Sequence, residues 1–112
     1  MLLAVDIDAP LLSPASPAPR SAILEAIARN AAGLVPDGAV IQSGIGEAPG
    51  AVIAGLRDHR RLRVYSGLIT ADYRQLANAG ALDMDADHLT GIAWGEPDLY
   101  RWLETPGLFS FR

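Results

Sequence analysis

Residues 39–53 read AVIQSGIGEAPGAVI, and this stretch decides the fold. The apolar run Ala39 to Ser43 predicts a strand, and Val52 and Ile53 predict the inward face of a helix that follows it. Pro49 suits the first turn of that helix, where its missing N–H would have no partner anyway. Glycines between a strand and a helix serve either an unusual backbone turn or a ligand that approaches the main chain closely.

The same alternation of strand and helix continues along the chain. We expect strands at about 39–43, 62–66, 88–94 and 108–111, and helices at about 20–34, 49–58, 70–79 and from Pro97 onward. In the first helix, one apolar stripe at helical spacing is formed by Ile23, Ala26, Ile27, Ala31 and Leu34. Strands that alternate with helices of about ten residues indicate parallel βαβ units. The sequence therefore predicts an α/β domain with a mostly parallel sheet and flanking helices.

The length of 112 residues corresponds to one domain. Residues 1–19 are expected to hold a short strand at Leu2 to Ile7 and an extended connector, because four of the eight prolines lie between Ala9 and Pro19. Residues 20–112 are expected to form the α/β domain.

Composition excludes several classes of function. The net charge of −4 argues against a nucleic-acid-binding protein, which usually carries a basic patch. The chain has no cysteine, which excludes disulfides, thiolate catalysis and cysteine–zinc sites. All nine basic side chains are arginine, so a Walker-type phosphate lysine and a Schiff-base lysine are excluded as well.

Membrane and metal sites are not expected either. No segment approaches the roughly 18 apolar residues of a membrane span, and the first residues lack the positive charge of a signal peptide. We therefore expect a cytoplasmic protein. The acidic turn Asp83 to Asp87 resembles the start of a calcium loop, but His88 and Trp94 replace the required glycine and glutamate.

Glycine follows three of the expected strands, as Gly44 and Gly46, as Gly67 and as Gly95. The turns that follow parallel strands share one edge of the sheet, where ligands usually bind, so we expect these glycines to line one groove. Each glycine could instead serve its own turn. Glu47 suits the positive end of a helix dipole and would repel a phosphate. The groove therefore favours a neutral or carbonyl-bearing group over a diphosphate.

The order of these motifs resembles a known family. The resemblance rests on the Pro36-Asp37-Gly38 turn, the run Gln42-x-Gly44-Ile45-Gly46-x-x-Pro49, the segment Leu56-x-Asp58-His59, Ser66, Ala79-Gly80 and, more weakly, Gly91, Gly95, Leu99-Tyr100 and Trp102. This pattern is similar to the acetyl-CoA hydrolase and CoA-transferase family, which includes acetate and 4-hydroxybutyrate CoA-transferases. It extends from about Asp6 to Phe111 and implies a CoA-transferase-like fold.

In that family the glycine loop approaches the thioester and the pantetheine arm of acyl-CoA. The resemblance therefore implies coenzyme A or acyl-CoA as substrate, a small carboxylic acid as its partner substrate, and no metal. The residues that it marks as candidates for contacting the ligand are Gln42, Gly44, Ile45, Gly46, Pro49, Gly67 and Gly95.

This chain departs from the family pattern at the catalytic position. Family transferases place a catalytic glutamate after the second strand, in a motif that reads roughly His-Ser-Glu, whereas this chain reads Tyr65-Ser66-Gly67. Gly67 cannot be a nucleophile, so no catalytic residue is assigned, and Glu47 is the alternative carboxylate. Ser66 would need a base, and the spacing of His59 and His88 places neither of them beside it. His59 suits the negative end of a helix or a phosphate of CoA.

These observations lead to two functional hypotheses. The first is an acyl-CoA-binding domain of a CoA-transferase or acetyl-CoA hydrolase-like protein, inactive by itself because family members are considerably longer. The alternative is a non-catalytic domain that keeps the fold for assembly or for binding a CoA-like ligand. Missing segments would leave apolar surface exposed, so we expect a homo-oligomer or a partner chain that supplies them.

Overall fold

The structure is a computed structural model that describes residues 19–104 and 108–112. Within those residues the elements are α1 (Ala22–Ala32), β1 (Val40–Ile41), α2 (Glu47–Gly55), β2 (Arg63–Ile69), α3 (Ala71–Asn78), β3 (His88–Ala93), α4 (Pro97–Leu103) and β4 (Phe109–Phe111). The strand expected at Leu2 to Ile7 and the proline-rich connector, apart from Pro19, lie outside the described residues.

The four strands form one parallel sheet in the order β1-β2-β3-β4. Each strand therefore pairs with the next one along the chain, and α2, α3 and α4 are the crossovers between them. Such crossovers are nearly always right-handed, which places these three helices on the same face of the sheet. The prediction of a parallel α/β domain is confirmed.

The core lies between the sheet and this helix layer. Buried apolar side chains of β2, α2 and α3 meet there, together with residues of the loops that flank them. The largest fully buried ones are Leu56, Leu62, Val64, Ile69, Tyr73 and Leu76, and Leu99 of α4 is also fully buried. Full burial of an aliphatic side chain of this size stabilises a fold by about 1.5–3 kcal/mol, so these positions dominate its stability.

The opposite face of the sheet carries apolar side chains that no described element covers. Val40 is 56% exposed, Tyr65 is 61% exposed and Ile92 is 60% exposed. All-parallel sheets are normally covered on both faces. We call this surface the bare face and define it by Val40, Tyr65, Gly67, Gly91 and Ile92.

Helix α1 packs on α2 through small residues. Ala28 is buried, and a side chain added at Gly55 would lie 3.3 Å from the Ala28 carbonyl oxygen. In contrast, Ile23, Ile27 and Leu34 of the predicted apolar stripe are exposed. The stripe is therefore not the face that packs, because close approach of the two helix backbones selects alanine and glycine at their contact.

Two boundaries differ from the sequence predictions in a way that matters for the site. Strand β1 has only two residues, and β2 continues to Ile69. Gly67 was expected in a turn, but it lies within β2, between the register pairs Ser66↔Thr90 and Leu68↔Ile92. The expectation that all the candidate glycines occupy strand-to-helix turns was therefore wrong for Gly67.

No helix within residues 19–104 and 108–112 has the length and apolarity that a membrane crossing requires. Over the same residues, no three acidic or histidine side chains converge as a metal site would need.

Candidate functional site

A hydroxyl residue followed by glycine occurs on three neighbouring segments of the sheet, as Ser43-Gly44, Ser66-Gly67 and Thr90-Gly91. Ser66 pairs with Thr90 in the β2–β3 register, and the Ser66 hydroxyl lies 3.4 Å from the Ser43 carbonyl oxygen. The three dipeptides therefore lie at the same level. We call Gly44, Gly67 and Gly91 the glycine row, and all three are exposed.

The hydroxyl groups of β2 and β3 point to the helix side of the sheet, where Ser66 and Thr90 are each 3% exposed. The Ser66 hydroxyl donates to the Leu68 carbonyl at 2.8 Å, and the Thr90 hydroxyl donates to the Ile92 carbonyl at 3.0 Å. Each hydrogen bond spans a glycine of the row. The two strands are paired on both sides of these glycines, through Ser66↔Thr90 and Leu68↔Ile92.

For two glycines of the row, nothing in residues 19–104 and 108–112 explains why a side chain is lacking. A Cβ atom added at Gly44 or at Gly67 would meet no described atom within 4 Å. Neither residue has a positive φ angle. Ordinary residues would therefore fit at both positions, and the open space above them is available to a group from outside.

Other candidate glycines have local explanations. Gly46 precedes α2 with a φ of 127°, a conformation that essentially only glycine adopts. A Cβ at Gly95 would lie 2.6 Å from Leu99 Cδ2, so glycine is needed there for packing. Gly91 is also confined, since its Cβ would lie 3.1 Å from the Gly67 carbonyl oxygen. Close approach of a ligand is thus best supported at Gly44 and Gly67.

The remaining candidates surround this surface. Gln42 and Ile45 are exposed in the loop that leaves β1, and Glu47 is the exposed first residue of α2. Pro49 lies in the first turn of α2, as predicted. The loop 42–46 therefore presents backbone and uncharged side chains beside the glycine row, with a single carboxylate at its helical end. A role in ligand binding remains a prediction for each of these residues.

The structure does not give Ser66 a base. His88 is fully buried, with Nδ1 accepting from the Val64 N–H at 3.0 Å and Nε2 donating to the Asp83 carbonyl at 2.7 Å. His59 Nε2 lies 2.8 Å from the Val35 carbonyl and contacts a carbonyl at the end of α1, so this N–H caps the helix. Both histidines have structural partners, and the Ser66 hydroxyl is bonded to a carbonyl of its own strand.

A shallow apolar cavity of about 390 Å³ lies between α4 and the ends of β3 and β4. It is lined by Ala93, Tyr100, Leu103, Glu104 and Phe111. None of these residues belongs to the glycine row or to the loop 42–46, so this cavity is separate from the site predicted by the sequence.

Comparison with known proteins identifies relatives of this arrangement, although no family model matches the chain. The chain is 37% identical over 59 residues to the 4-hydroxybutyrate coenzyme A transferase of Clostridium kluyveri, which covers 53% of this chain. It is 38% identical over 68 residues, or 60% of its length, to a succinyl-CoA:acetate/propanoyl-CoA:succinate CoA transferase of Fasciola hepatica.

A solved structure of a 4-hydroxybutyrate CoA-transferase from Porphyromonas gingivalis superposes on 95% of the chain with a TM-score of 0.83 at 23% identity. In sequence and in fold, the chain resembles a segment of the CoA-transferases. It spans about 14% of the length of the curated relatives and 28% of the solved transferase chain. The expected resemblance to CoA-transferases is thus confirmed for a segment of those proteins.

Alanine substitutions should separate the two kinds of glycine in this domain. We expect Gly44→Ala and Gly67→Ala to leave the free energy of unfolding unchanged or to raise it by up to about 1 kcal/mol, since both backbones accept a side chain. We expect Gly46→Ala to lower it by about 1–3 kcal/mol through backbone strain, and Gly95→Ala by a similar amount through overpacking. Urea denaturation followed by circular dichroism measures all four. Equal losses at Gly67 and Gly95 would contradict this assignment.

Proposed function

We propose that this CoA-transferase-like domain binds acyl-CoA, with the thioester and pantetheine arm lying against the glycine row. The observation that carries the proposal is the unexplained open space at Gly44 and Gly67. Both glycines expose main chain on the bare face, where a thin ligand can approach the backbone more closely than any side chain would allow. The matched relatives are named as coenzyme A transferases, which supports a CoA thioester as the ligand class.

The negative charge of Glu47 beside the glycine row also favours the uncharged pantetheine arm as the part of the ligand that lies there. Glu47 is exposed at the end of the loop 42–46 and disfavours a phosphate group there. Neighbouring strands are about 4.8 Å apart, so the glycine row, which crosses three neighbouring segments, is roughly 10 Å long. An uncharged arm with amide and thioester groups suits such a surface, and the charged nucleotide would lie away from Glu47.

Isothermal titration calorimetry with acetyl-CoA tests the binding site. We expect Gly67→Val to weaken binding at least tenfold, or about 1.4 kcal/mol, because its side chain fills the proposed position of the ligand. The matched control is Gly33→Ala, at the end of α1, where the backbone is helical and a Cβ would lie 3.5 Å from its nearest neighbour. Equal affinity of the wild type and Gly67→Val would place the ligand elsewhere. Gly46→Val is unsuitable, because backbone strain alone would perturb the loop.

We further propose that the full reaction, transfer of CoA between a thioester and a carboxylic acid or hydrolysis of the thioester, needs a carboxylate from outside this chain. Gly67 has no side chain, and Ser66 is buried with its hydroxyl bonded to a carbonyl. Glu47 lies at the start of α2, where the helix dipole stabilises its charge and weakens it as a nucleophile.

The purified chain should therefore release no free thiol from acetyl-CoA, with or without added acetate or succinate. A chromogenic thiol assay measures the release, and Glu47→Gln is the informative variant. Turnover in the wild type that disappears in Glu47→Gln would instead make Glu47 the nucleophile. Turnover that survives this substitution would contradict the proposed inactivity and leave Ser66 as the group to test.

The bare face favours a second candidate function, assembly. Its exposed Tyr65 and Ile92 lie on a parallel sheet that would normally be covered on both faces. The solved transferase chain is more than three times longer than the part matched here, so it contains further chain to cover such a face. As the alternative to acyl-CoA binding on this face, we propose that in the isolated domain a second copy covers it, since two bare faces offer each other apolar surface.

Sedimentation equilibrium tests this assembly. We expect the wild type to be a dimer at micromolar concentration and Ile92→Asp to shift it towards monomer, because the carboxylate would be buried in the interface. Ile23→Asp is the matched control, since Ile23 is 73% exposed on α1 away from the bare face. A monomeric wild type, or equal effects of the two substitutions, would rule out the bare face as the dimer interface.

A further inference from the structure

A buried tyrosine lies beneath the loop that leaves β1. Tyr73, on α3, is 1% exposed, and its hydroxyl oxygen lies 2.8 Å from Ser43 Oγ and 3.5 Å from Ser66 Oγ. These atoms form a chain in which Ser43 donates to Tyr73, Tyr73 donates to Ser66, and Ser66 donates to the Leu68 carbonyl at 2.8 Å. Each hydroxyl then donates once, which satisfies the single donor it has.

This series of hydrogen-bonded hydroxyl groups connects the loop to Ser66 of β2. Strand β1 ends at Ile41, so the loop 42–46 continues beyond the last paired residue of that strand. In the described part of the protein, every side-chain hydrogen bond to this loop involves an atom of Ser43. The Ser66 hydroxyl lies 3.4 Å from the Ser43 carbonyl, but its single proton is donated to Leu68, whereas the Tyr73 hydroxyl lies 2.8 Å from Ser43 Oγ. Tyr73 therefore makes the stronger of the two connections.

We propose that Tyr73 is the positioning residue of the site: its hydroxyl holds Ser43, and thereby Gly44, level with Gly67. Its consequence for acyl-CoA affinity rests on the proposed function, but its effect on the loop does not. The hydroxyl lies on the helix side of the sheet with Ser66, whereas the glycine row faces the other side. Tyr73 thus acts through the loop and does not touch the ligand. The aromatic ring packs in the core, and only the oxygen atom serves the loop.

Tyr73→Phe tests this role, because it keeps the ring and removes only the hydroxyl. Backbone ¹⁵N relaxation of the ligand-free protein is the primary measurement, since it reports on mobility even where an amide makes no hydrogen bond. We expect the order parameters of residues 43–47 to fall below about 0.6, while those of β3 and α4 stay at about 0.85. Tyr65→Phe is the matched control, since it removes a hydroxyl from the exposed face of β2 and should leave the loop unchanged.

A second variant and a binding measurement complete the test. Ser43→Ala should reproduce the lower order parameters of the loop, and the double variant should lower them no further than either single one, because both remove the same contact. Calorimetry with acetyl-CoA should show affinity reduced about five- to tenfold in Tyr73→Phe. Unchanged order parameters at 43–47, or a uniform decrease across the whole core, would overturn the positioning role. A more mobile loop in a protein that fails to bind acetyl-CoA even as wild type would refute only the proposed function.

Discussion

The register between Ser66 and Thr90 is the constraint on which the site depends. Each of these residues uses its hydroxyl to bond the carbonyl two residues later, and each is followed by glycine. The two hydrogen bonds lie in register, and the strands remain paired beyond the glycines through Leu68↔Ile92. A shift of one residue would turn the buried side chains of one strand, such as Val64 of β2, to the exposed face, and the loss of their burial disfavours it. The same register therefore maintains both the sheet and the glycine row.

The fold separates two surfaces with different chemistry. On the helix side, buried apolar residues and the hydroxyl chain of Ser43, Tyr73 and Ser66 hold the elements together. On the bare face, the glycine row exposes backbone between Tyr65 and Ile92. The stabilising contacts thus lie behind the row and leave its front open. This arrangement explains how the main chain can be accessible at a point where the sheet is well supported.

The buried histidine His88 is another stabilising residue that lies away from the exposed glycine row. Its ring bonds the Val64 N–H and the Asp83 carbonyl, so it ties the loop before β3 to β2. A ring with both nitrogens engaged in this way supports the strand pairing and has no nitrogen left for proton transfer. The matched transferases are several times longer than this chain. The roles that we propose for this domain are binding and positioning.

The sequence by itself determined the alternation of strands and helices, the parallel sheet, the loop 42–46 and the resemblance to CoA-transferases. Those properties follow from local periodicity, from glycine and proline positions and from one specific run of residues. It also contained the repeated hydroxyl–glycine dipeptides, but their spacing of 23 and 24 residues carries meaning only once the strands are paired.

Only the tertiary structure decided which glycines have room for a side chain, because the sequence does not show which atoms surround Gly67 and Gly95. It also decided that α1 packs through alanine instead of its larger apolar residues, and that Tyr73 reaches the loop from another helix. The physical reason is that periodicity reports which residues share a face, whereas contact across elements depends on how closely their backbones approach.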